Sequence, residues 1–214
     1  MKTIVAVIFI GIFTYAFGKS AKITECHKVT PMDGFNPTKF FEGTWYMTHV
    51  TNGIFSFVCQ DLETTKDGEQ LFIDYDFNKN GKERHVRCES EAPKKKEKGK
   101  KAEQETINGK AKKNGQISFN CEVNTPGFFS IFSKTNKFQA DFTIMTTDYN
   151  DYALFYKCVT LESGEKSDNY VVLRRGKYDE NIPGIVKSLL DINHESMKKC
   201  SELINEEDIK SVVV

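Results

Sequence analysis

The sequence has little tryptophan and histidine, and it carries no net charge. Its 214 residues include one tryptophan and four histidines, and 30 lysines and arginines balance 30 aspartates and glutamates. A neutral chain has no global electrostatic attraction for nucleic acid, so no nucleic-acid partner is expected. The histidines are far apart in the sequence and do not have the close spacing of a zinc site. They are His27, His49, His85 and His194.

The short motifs of common catalytic sites are also absent. The chain has no G-x-S-x-G, H-E-x-x-H or C-x-x-C pattern and no glycine loop for phosphate. The stretch 76–81 begins like a calcium loop, but its twelfth position is Arg87, where that loop needs a glutamate. We therefore expect a protein that is not an enzyme and holds no metal.

Long hydrophobic runs are absent except near the N-terminus. There an apolar run over residues 4–13 is followed by Ala16 and Gly18, small residues at the positions that signal peptidase reads. A membrane anchor is the alternative, but the run is shorter than the roughly 20 residues that span a bilayer. We expect residues 1–18 to be a secretory signal peptide. The six cysteines fit three disulfides in an oxidising compartment.

Alternating apolar residues and turn signals dominate the centre of the chain. Asn80-Gly81 is typical of a two-residue hairpin turn, because both residues tolerate positive φ angles. Several short strands separated by turns predict an antiparallel sandwich or barrel. The predicted strands cover residues 41–50, 70–77, 84–89, 116–123, 137–145, 152–161 and 170–175.

The C-terminal part changes to a helical period. Over residues 182–204, Ile185, Leu189 and Met197 recur at roughly helical spacing, and Pro183 suits a first helical turn. We expect one or two helices packed on the outside of the β unit. The domain would then cover residues 19–205, with a flexible tail over 206–214.

The segment 94–113 is rich in lysine, with nine lysines against three glutamates and no aromatic residue. Its composition predicts a solvated excursion between two strands. The excursion either has no partner or faces a polyanion or an anionic membrane. The lysines that would face such an anionic partner are Lys94, Lys95, Lys96, Lys98, Lys100 and Lys101.

Three short motifs resemble the signatures of lipocalins. Gly43 and Trp45 match the G-x-W motif, and Asp148 and Tyr149 match the T-D-Y turn. Arg175 resembles the arginine of the third signature. The blocks 35–49 and 153–158 further resemble the salivary lipocalins of triatomine bugs. This resemblance implies an all-β fold, an eight-stranded antiparallel up-and-down barrel with a C-terminal helix and one open end. It also implies a monomer, secreted in saliva, that impairs host haemostasis.

The resemblance implies a barrel floor made by Trp45 with Arg175 stacked on it as a cation–π pair. If Trp45 points inward, strand alternation predicts that Met47 and His49 also point inward and line the lower pocket. Simple core packing is the alternative for Met47.

The disulfide pairing is also implied by the resemblance, since the sequence alone leaves it open. The expected pairs are Cys26–Cys158, Cys59–Cys200 and Cys88–Cys121.

One position departs from the haem-carrying relatives in this group. Those relatives hold iron through the histidine of an H-Y-D motif, and the matching residue here is Asp74 in the stretch 74–76. Aspartate is not the neutral imidazole ligand of that chemistry. We therefore expect no haem and no other cofactor.

Two functions remain open. The favoured one is sequestration of a small host mediator, either an eicosanoid such as thromboxane A2 or a biogenic amine. Phe138, Phe142 and Ile144 could line an eicosanoid tunnel, with the inward face of their strand left open, whereas Asp74 and Asp76 could hold an amine. The alternative is a protein-binding inhibitor of coagulation or of kallikrein-kinin contact activation that acts through the barrel loops.

Overall fold

A computed structural model provides the structure of the chain. It describes residues 23–51, 59–79, 82–91, 106–107, 110–111, 115–124, 136–192 and 196–203. The predicted signal peptide, the tail over 206–214 and the lysines of 94–101 lie outside these residues.

Eight antiparallel strands form a closed barrel. Neighbours along the sheet follow the order β1, β2, β3, β4, β7, β8, β9 and β10, and β10 pairs back with β1 to close the ring. The strands are β1 (Gly43–Val50), β2 (Asp61–Asp67), β3 (Gln70–Lys79), β4 (Lys82–Ser90), β7 (Gln116–Asn124), β8 (Asn136–Thr147), β9 (Tyr152–Leu161) and β10 (Lys166–Arg174).

The remaining described elements are short or lie outside the barrel. Two-residue strands form a separate hairpin within the lysine-rich excursion, and one more short strand pairs with the second half of β1. These elements are α1 (Pro37–Phe40), β5 (Thr106–Ile107), β6 (Lys110–Ala111), α2 (Gly184–Ile192) and β11 (Lys198–Lys199). No helix in the described ranges is long and apolar enough to cross a membrane.

Seven of the eight barrel strands coincide with predicted ones, and the barrel prediction is confirmed. Lys79 pairs with Lys82, so the strands on either side of Asn80-Gly81 form the predicted hairpin. Strand β2 was not predicted because its sequence, DLETTKD, is polar. Of its residues only Leu62 and Thr64 are buried, which is too few for a clear alternating pattern.

The two ends of the barrel are distinct. Gly43 at the start of β1 pairs with Thr64, Thr64 pairs with Ile73, and Ile73 pairs with Cys88 near the end of β4. The beginning of β1 and the end of β4 therefore lie at the same end, which we call the floor end. The excursion follows β4 at this end. The β3–β4 hairpin lies at the opposite end, which the resemblance implies to be the open end.

Two apolar clusters show which side of each strand faces inward. The larger cluster fills the barrel and includes Trp45, Phe119 and Phe155. The smaller one lies outside β8, β9 and β10 and includes Val186 and Leu190 of α2. The helix thus packs on the outer face, as expected. It begins one residue after Pro183, whose carbonyl oxygen accepts a hydrogen bond from Lys187 N.

Candidate functional site

The floor of the barrel is built around Trp45, which is fully buried. Its indole Nε1–H donates to the carbonyl oxygen of Phe40 at 3.0 Å, and the Phe40 ring stacks on the indole with centroids 5.2 Å apart. The indole N–H is therefore satisfied by backbone without water, which lets the aromatic plane close the end of the barrel.

Arg175 covers the outer side of this floor. Its guanidinium carbon lies 3.6 Å from the centroid of the Trp45 ring. Its three nitrogens donate to the carbonyl oxygens of Thr44 at 2.9 Å, Phe40 at 3.3 Å and Tyr149 at 3.3 Å. One side chain thus connects the start of β1, the helix α1 and the turn between β8 and β9.

The turn between β8 and β9 is held by Asp148. Its Oδ1 accepts from the backbone N–H groups of Asn150, Asp151 and Tyr152 at 2.9 to 3.2 Å. Tyr149 has a φ of 70°, and its hydroxyl oxygen accepts from Asn36 N at 2.9 Å. The aspartate side chain satisfies the backbone of a tight turn, and Tyr149 packs against the inner cluster from the floor end.

Above the floor, β8 presents an apolar wall to the interior. Phe142 and Ile144 belong to the inner cluster, and Phe138 is partly buried against it nearer the open end. The Phe142 ring lies 5.1 Å from Phe119 and 5.0 Å from Phe155 between centroids. The structure therefore shows which face of this strand is inward, a choice that alternation alone leaves open.

The interior also contains a cation that sequence reasoning missed. Lys157 pairs in register with Phe142, whose side chain faces inward, and lies between Phe155 of the inner cluster and Val159, which packs against it. It is the one buried lysine among the described residues, with 9% of its surface exposed. Lys157 is the third of five inward positions on β9, so it lies at mid-depth in the barrel.

The surroundings of Lys157 are aromatic. Its Nζ lies 5.5 Å from the centroid of Tyr75 and 5.8 Å from that of Phe142. Burial lowers the pKa of Lys157 from its usual 10.5 to about 8. Burial also raises the pKa of Tyr75, so that phenol stays neutral at physiological pH. No carboxylate in the described ranges lies within ion-pair distance of Lys157. The buried carboxylate of Asp168 lies on the outer face, where it accepts a hydrogen bond from the hydroxyl of Tyr156.

A detectable signal for Lys157 was present in the sequence. Cys158 bonds Cys26 of the N-terminal arm, on the outside of the barrel. Alternation then turns the preceding residue inward. Combining the disulfide with the strand period would have placed this lysine in the interior.

The expectation that His49 lines the pocket is wrong. The register of β1 shifts between Met47 and His49, so Met47 pairs with the inward Leu173 whereas His49 pairs with the outward Val172. This irregularity reverses the alternation. Met47 remains inward and is packed in the inner cluster. His49 lies under β11, pairs with Lys199 across the strands, and has its pKa lowered mainly by burial.

The expectation that Asp74 lines the pocket is also wrong. Its neighbours Ile73 and Tyr75 face inward, so Asp74 and Asp76 lie on the outer face. Asp74 accepts hydrogen bonds from Arg87 Nη1 at 3.2 and 3.3 Å. Both aspartates also contact the ring nitrogens of His85, at 3.2 and 2.7 Å. The pair therefore forms an outer-surface ionic cluster, and it is not available to an amine in the barrel.

The three disulfides are those that the resemblance implies. Cys26–Cys158 ties the N-terminal arm to β9, and Cys59–Cys200 ties the start of the β2 segment to the C-terminal segment. Cys88–Cys121 joins the paired strands β4 and β7. Both sulfurs of this last bridge face inward, so the bridge forms part of the barrel wall.

No group of three or more histidine, cysteine, aspartate or glutamate side chains suited to a metal occurs in the part of the chain that is described. The six lysines predicted to face an anionic partner, at positions 94–101, lie outside that part. Only the backbone hairpin of β5 and β6 is described within the excursion.

The chain matches a family model and several known proteins over most of its length. The family model named Triabin matches residues 19–110 and 95–189. Triafestin-2 of Triatoma infestans is 32% identical over 215 residues, covering 96% of this chain and 93% of its own. Procalin of Hospesneotomae protracta is 29% identical over 191 residues, covering 88% of this chain and 94% of its own.

Solved structures have the same fold. LTBP1 in complex with leukotriene C4 is 25% identical, with a TM-score of 0.53, and the match covers 79% of this chain and 88% of that one. A biogenic amine-binding protein is 17% identical, with a TM-score of 0.50 and coverage of 76% of each chain. At that identity the second likeness concerns the fold alone.

Proposed function

The chain belongs to the triabin family of lipocalins, and from that premise we propose that it is a secreted salivary protein that sequesters a small host mediator. The mediator is an amphipathic lipid with a carboxylate, of the eicosanoid class to which thromboxane A2 belongs. Capture of such a mediator impairs platelet aggregation and vasoconstriction. Sequestration needs tight binding and abundant protein, and it needs no catalytic group.

The observation that carries this proposal is the buried, unpaired Lys157 in an aromatic interior. An eicosanoid joins a long apolar chain to one carboxylate. Phe138, Phe142 and Ile144 offer the apolar surface, and Lys157, the one buried lysine among the described residues, offers a cation at mid-depth. A charged hydrogen bond formed out of water is worth about 1.5–3 kcal/mol, which is enough to orient a lipid in the barrel.

The same interior disfavours an amine as the mediator. An ammonium ligand needs an inward carboxylate, and the acidic residues of the described barrel strands, including the buried Asp168, alternate onto the outer face. A cation in the barrel would also be repelled by Lys157. The structure of LTBP1 with leukotriene C4 supports the lipid class, because that protein is 25% identical to this chain and binds an eicosanoid.

The test is calorimetry with a stable thromboxane analogue and with its methyl ester. We expect one site per chain for the acid. Lys157→Met should weaken binding of the acid by about 10- to 100-fold while changing ester binding little, because only the acid carries the charge. Lys187→Met, on the exposed face of α2, serves as the matched control. Equal losses for acid and ester would contradict the assigned role of Lys157.

A second candidate function rests on the lysine-rich excursion. It connects the floor-end termini of the paired strands β4 and β7. A loop with an excess of positive charge suits an anionic surface or an anionic protein partner of coagulation or contact activation. Both functions can therefore reside on one barrel without sharing residues.

A further inference from the structure

We propose that Lys157 also captures lipid aldehydes covalently, as an imine formed inside the barrel. This proposal rests on the interior proposed above as a lipid site, and it adds a second ligand class, straight-chain aldehydes. The chemistry differs from carboxylate binding because it uses the neutral amine of Lys157, whereas carboxylate binding uses the ammonium.

The geometry around Lys157 favours a reactive amine. Its Nζ lies near the faces of Tyr75 and Phe142, at 5.5 and 5.8 Å from the ring centroids. Such aromatic faces offer only a weak attraction to the ammonium, far less than a carboxylate would. No ion pair in the described part of the chain holds the proton on Lys157. A desolvated lysine in an apolar pocket is the usual arrangement for a lysine that attacks carbonyl groups.

The fraction of neutral amine follows from this environment. With the pKa of Lys157 at about 8, about one molecule in ten carries the neutral amine at pH 7. An ordinary lysine of pKa about 10.4 is neutral in fewer than about one molecule in a thousand at that pH. The neutral, nucleophilic form of Lys157 is therefore more than about a hundredfold more populated at pH 7 than that of an ordinary lysine.

The reaction needs no co-reactant. The lone pair of Lys157 Nζ attacks the aldehyde carbon, and the carbonyl oxygen takes up a proton to give a carbinolamine. Loss of the hydroxyl group with the remaining amine proton releases one water and forms the C=N bond. The inner cluster around Phe119, Phe142 and Phe155 then surrounds the alkyl chain and limits access of water for the reverse hydrolysis.

The experiment uses the full secreted protein, nonanal as the probe and sodium cyanoborohydride to reduce the imine, followed by peptide mapping. At pH 7 we expect Lys157 to be alkylated at least tenfold faster than Lys187, which is exposed on α2. The labelling rate of Lys157 should level off above about pH 8, whereas an ordinary lysine continues to gain reactivity up to about pH 10. Nonanoate should slow labelling of Lys157 by competition.

Two variants and one binding measurement separate the outcomes. Lys157→Arg retains a cation but cannot form the imine, so it should lose the fast labelling and still bind nonanoate in calorimetry. Lys187→Arg should change neither result. Slow labelling of Lys157 in a protein that binds nonanoate normally would overturn this proposal and leave lipid sequestration intact. Fast labelling of Lys157 in a protein that does not bind nonanoate would instead contradict the proposed sequestration of carboxylates and support imine formation.

Discussion

Burial of Lys157 costs the folded protein stability, because the ammonium loses hydration that no carboxylate replaces. A pKa lowered from 10.5 to about 8 corresponds to roughly 3 kcal/mol against the charged form. A residue that costs this much in a barrel otherwise filled with Phe119, Phe142 and Phe155 is best explained by what it binds.

We expect Lys157→Met to raise the free energy of unfolding at pH 7 by about 2–3 kcal/mol, because methionine fills a similar volume without a charge. The folded pKa lies below the unfolded one, so the unfolded chain binds more protons between pH 8 and pH 10.5. The native protein should therefore gain stability as pH rises through that window, and the variant should not. Urea denaturation at pH 7, 9 and 10 measures both effects.

The pH dependence of ligand binding should have the opposite sign. Only protonated Lys157 attracts a carboxylate, and its protonated fraction falls about tenfold for each pH unit above about 8. We expect the affinity for an eicosanoid acid to fall accordingly between pH 8 and pH 10, and affinity for its methyl ester to stay constant. Calorimetry in buffers of different ionisation enthalpy should show proton uptake on binding of the acid. The same pH dependence of affinity for the acid and for the ester would contradict the role of Lys157 in binding the carboxylate.

At the level of elements, Arg175 joins three segments that are separate in the chain. Its bonds to the carbonyl oxygens of Phe40, Thr44 and Tyr149 connect α1, β1 and the β8–β9 turn beneath Trp45. Lysine cannot reproduce this pattern, because its ammonium is a compact point charge and not a planar fork.

We expect Arg175→Lys to lower the free energy of unfolding by about 1–3 kcal/mol, since it leaves carbonyl oxygens at the floor short of donors. Trp45 fluorescence should change in the folded state, because the cation over its ring moves. Lys177→Arg, at an exposed position in the next turn, is the control and should change neither property. Eicosanoid binding above the floor should survive in Arg175→Lys.

The elements themselves were well predicted where alternation is regular. Strand β9 matches its predicted bounds, and β8 extends them by one residue at the start and two at the end. The exceptions have local causes. Strand β2 is mostly polar and shows no clear alternation of apolar and polar residues. Strand β1 contains the register shift that turns His49 outward. Such an irregularity depends on the partner strand β10, so no pattern within β1 alone reveals it.

For the molecule as a whole, the two proposed functions belong to different parts of the chain. The lipid site is proposed inside the barrel, whereas the segment 94–113 follows β4 at the floor end after Ser90. Formal neutrality of the chain hides this local excess of positive charge.

We expect replacement of residues 94–113 by a short glycine-serine linker to preserve eicosanoid binding, because β4 and β7 are paired neighbours bridged by Cys88–Cys121. Any inhibition of contact activation in plasma should be lost, and in the intact protein it should weaken as salt increases. An excursion of unchanged length, made charge-neutral by changing six of its nine lysines to glutamine so that three lysines balance the three glutamates, is the matched control for loop length. Full inhibition by the linker variant would exclude the excursion from that function.

The sequence by itself determined seven of the eight barrel strands and the β3–β4 hairpin, because alternation and turn chemistry are local signals. The residues of the floor were implied by the resemblance of the three motifs to lipocalins. The tertiary structure decided which face of β3 and which face of β8 is inward. A period of two groups Asp74 with Asp76, and Phe142 with Ile144, but it is symmetric between inside and outside. Closure of the barrel breaks that symmetry, and in doing so it places Lys157 in the interior.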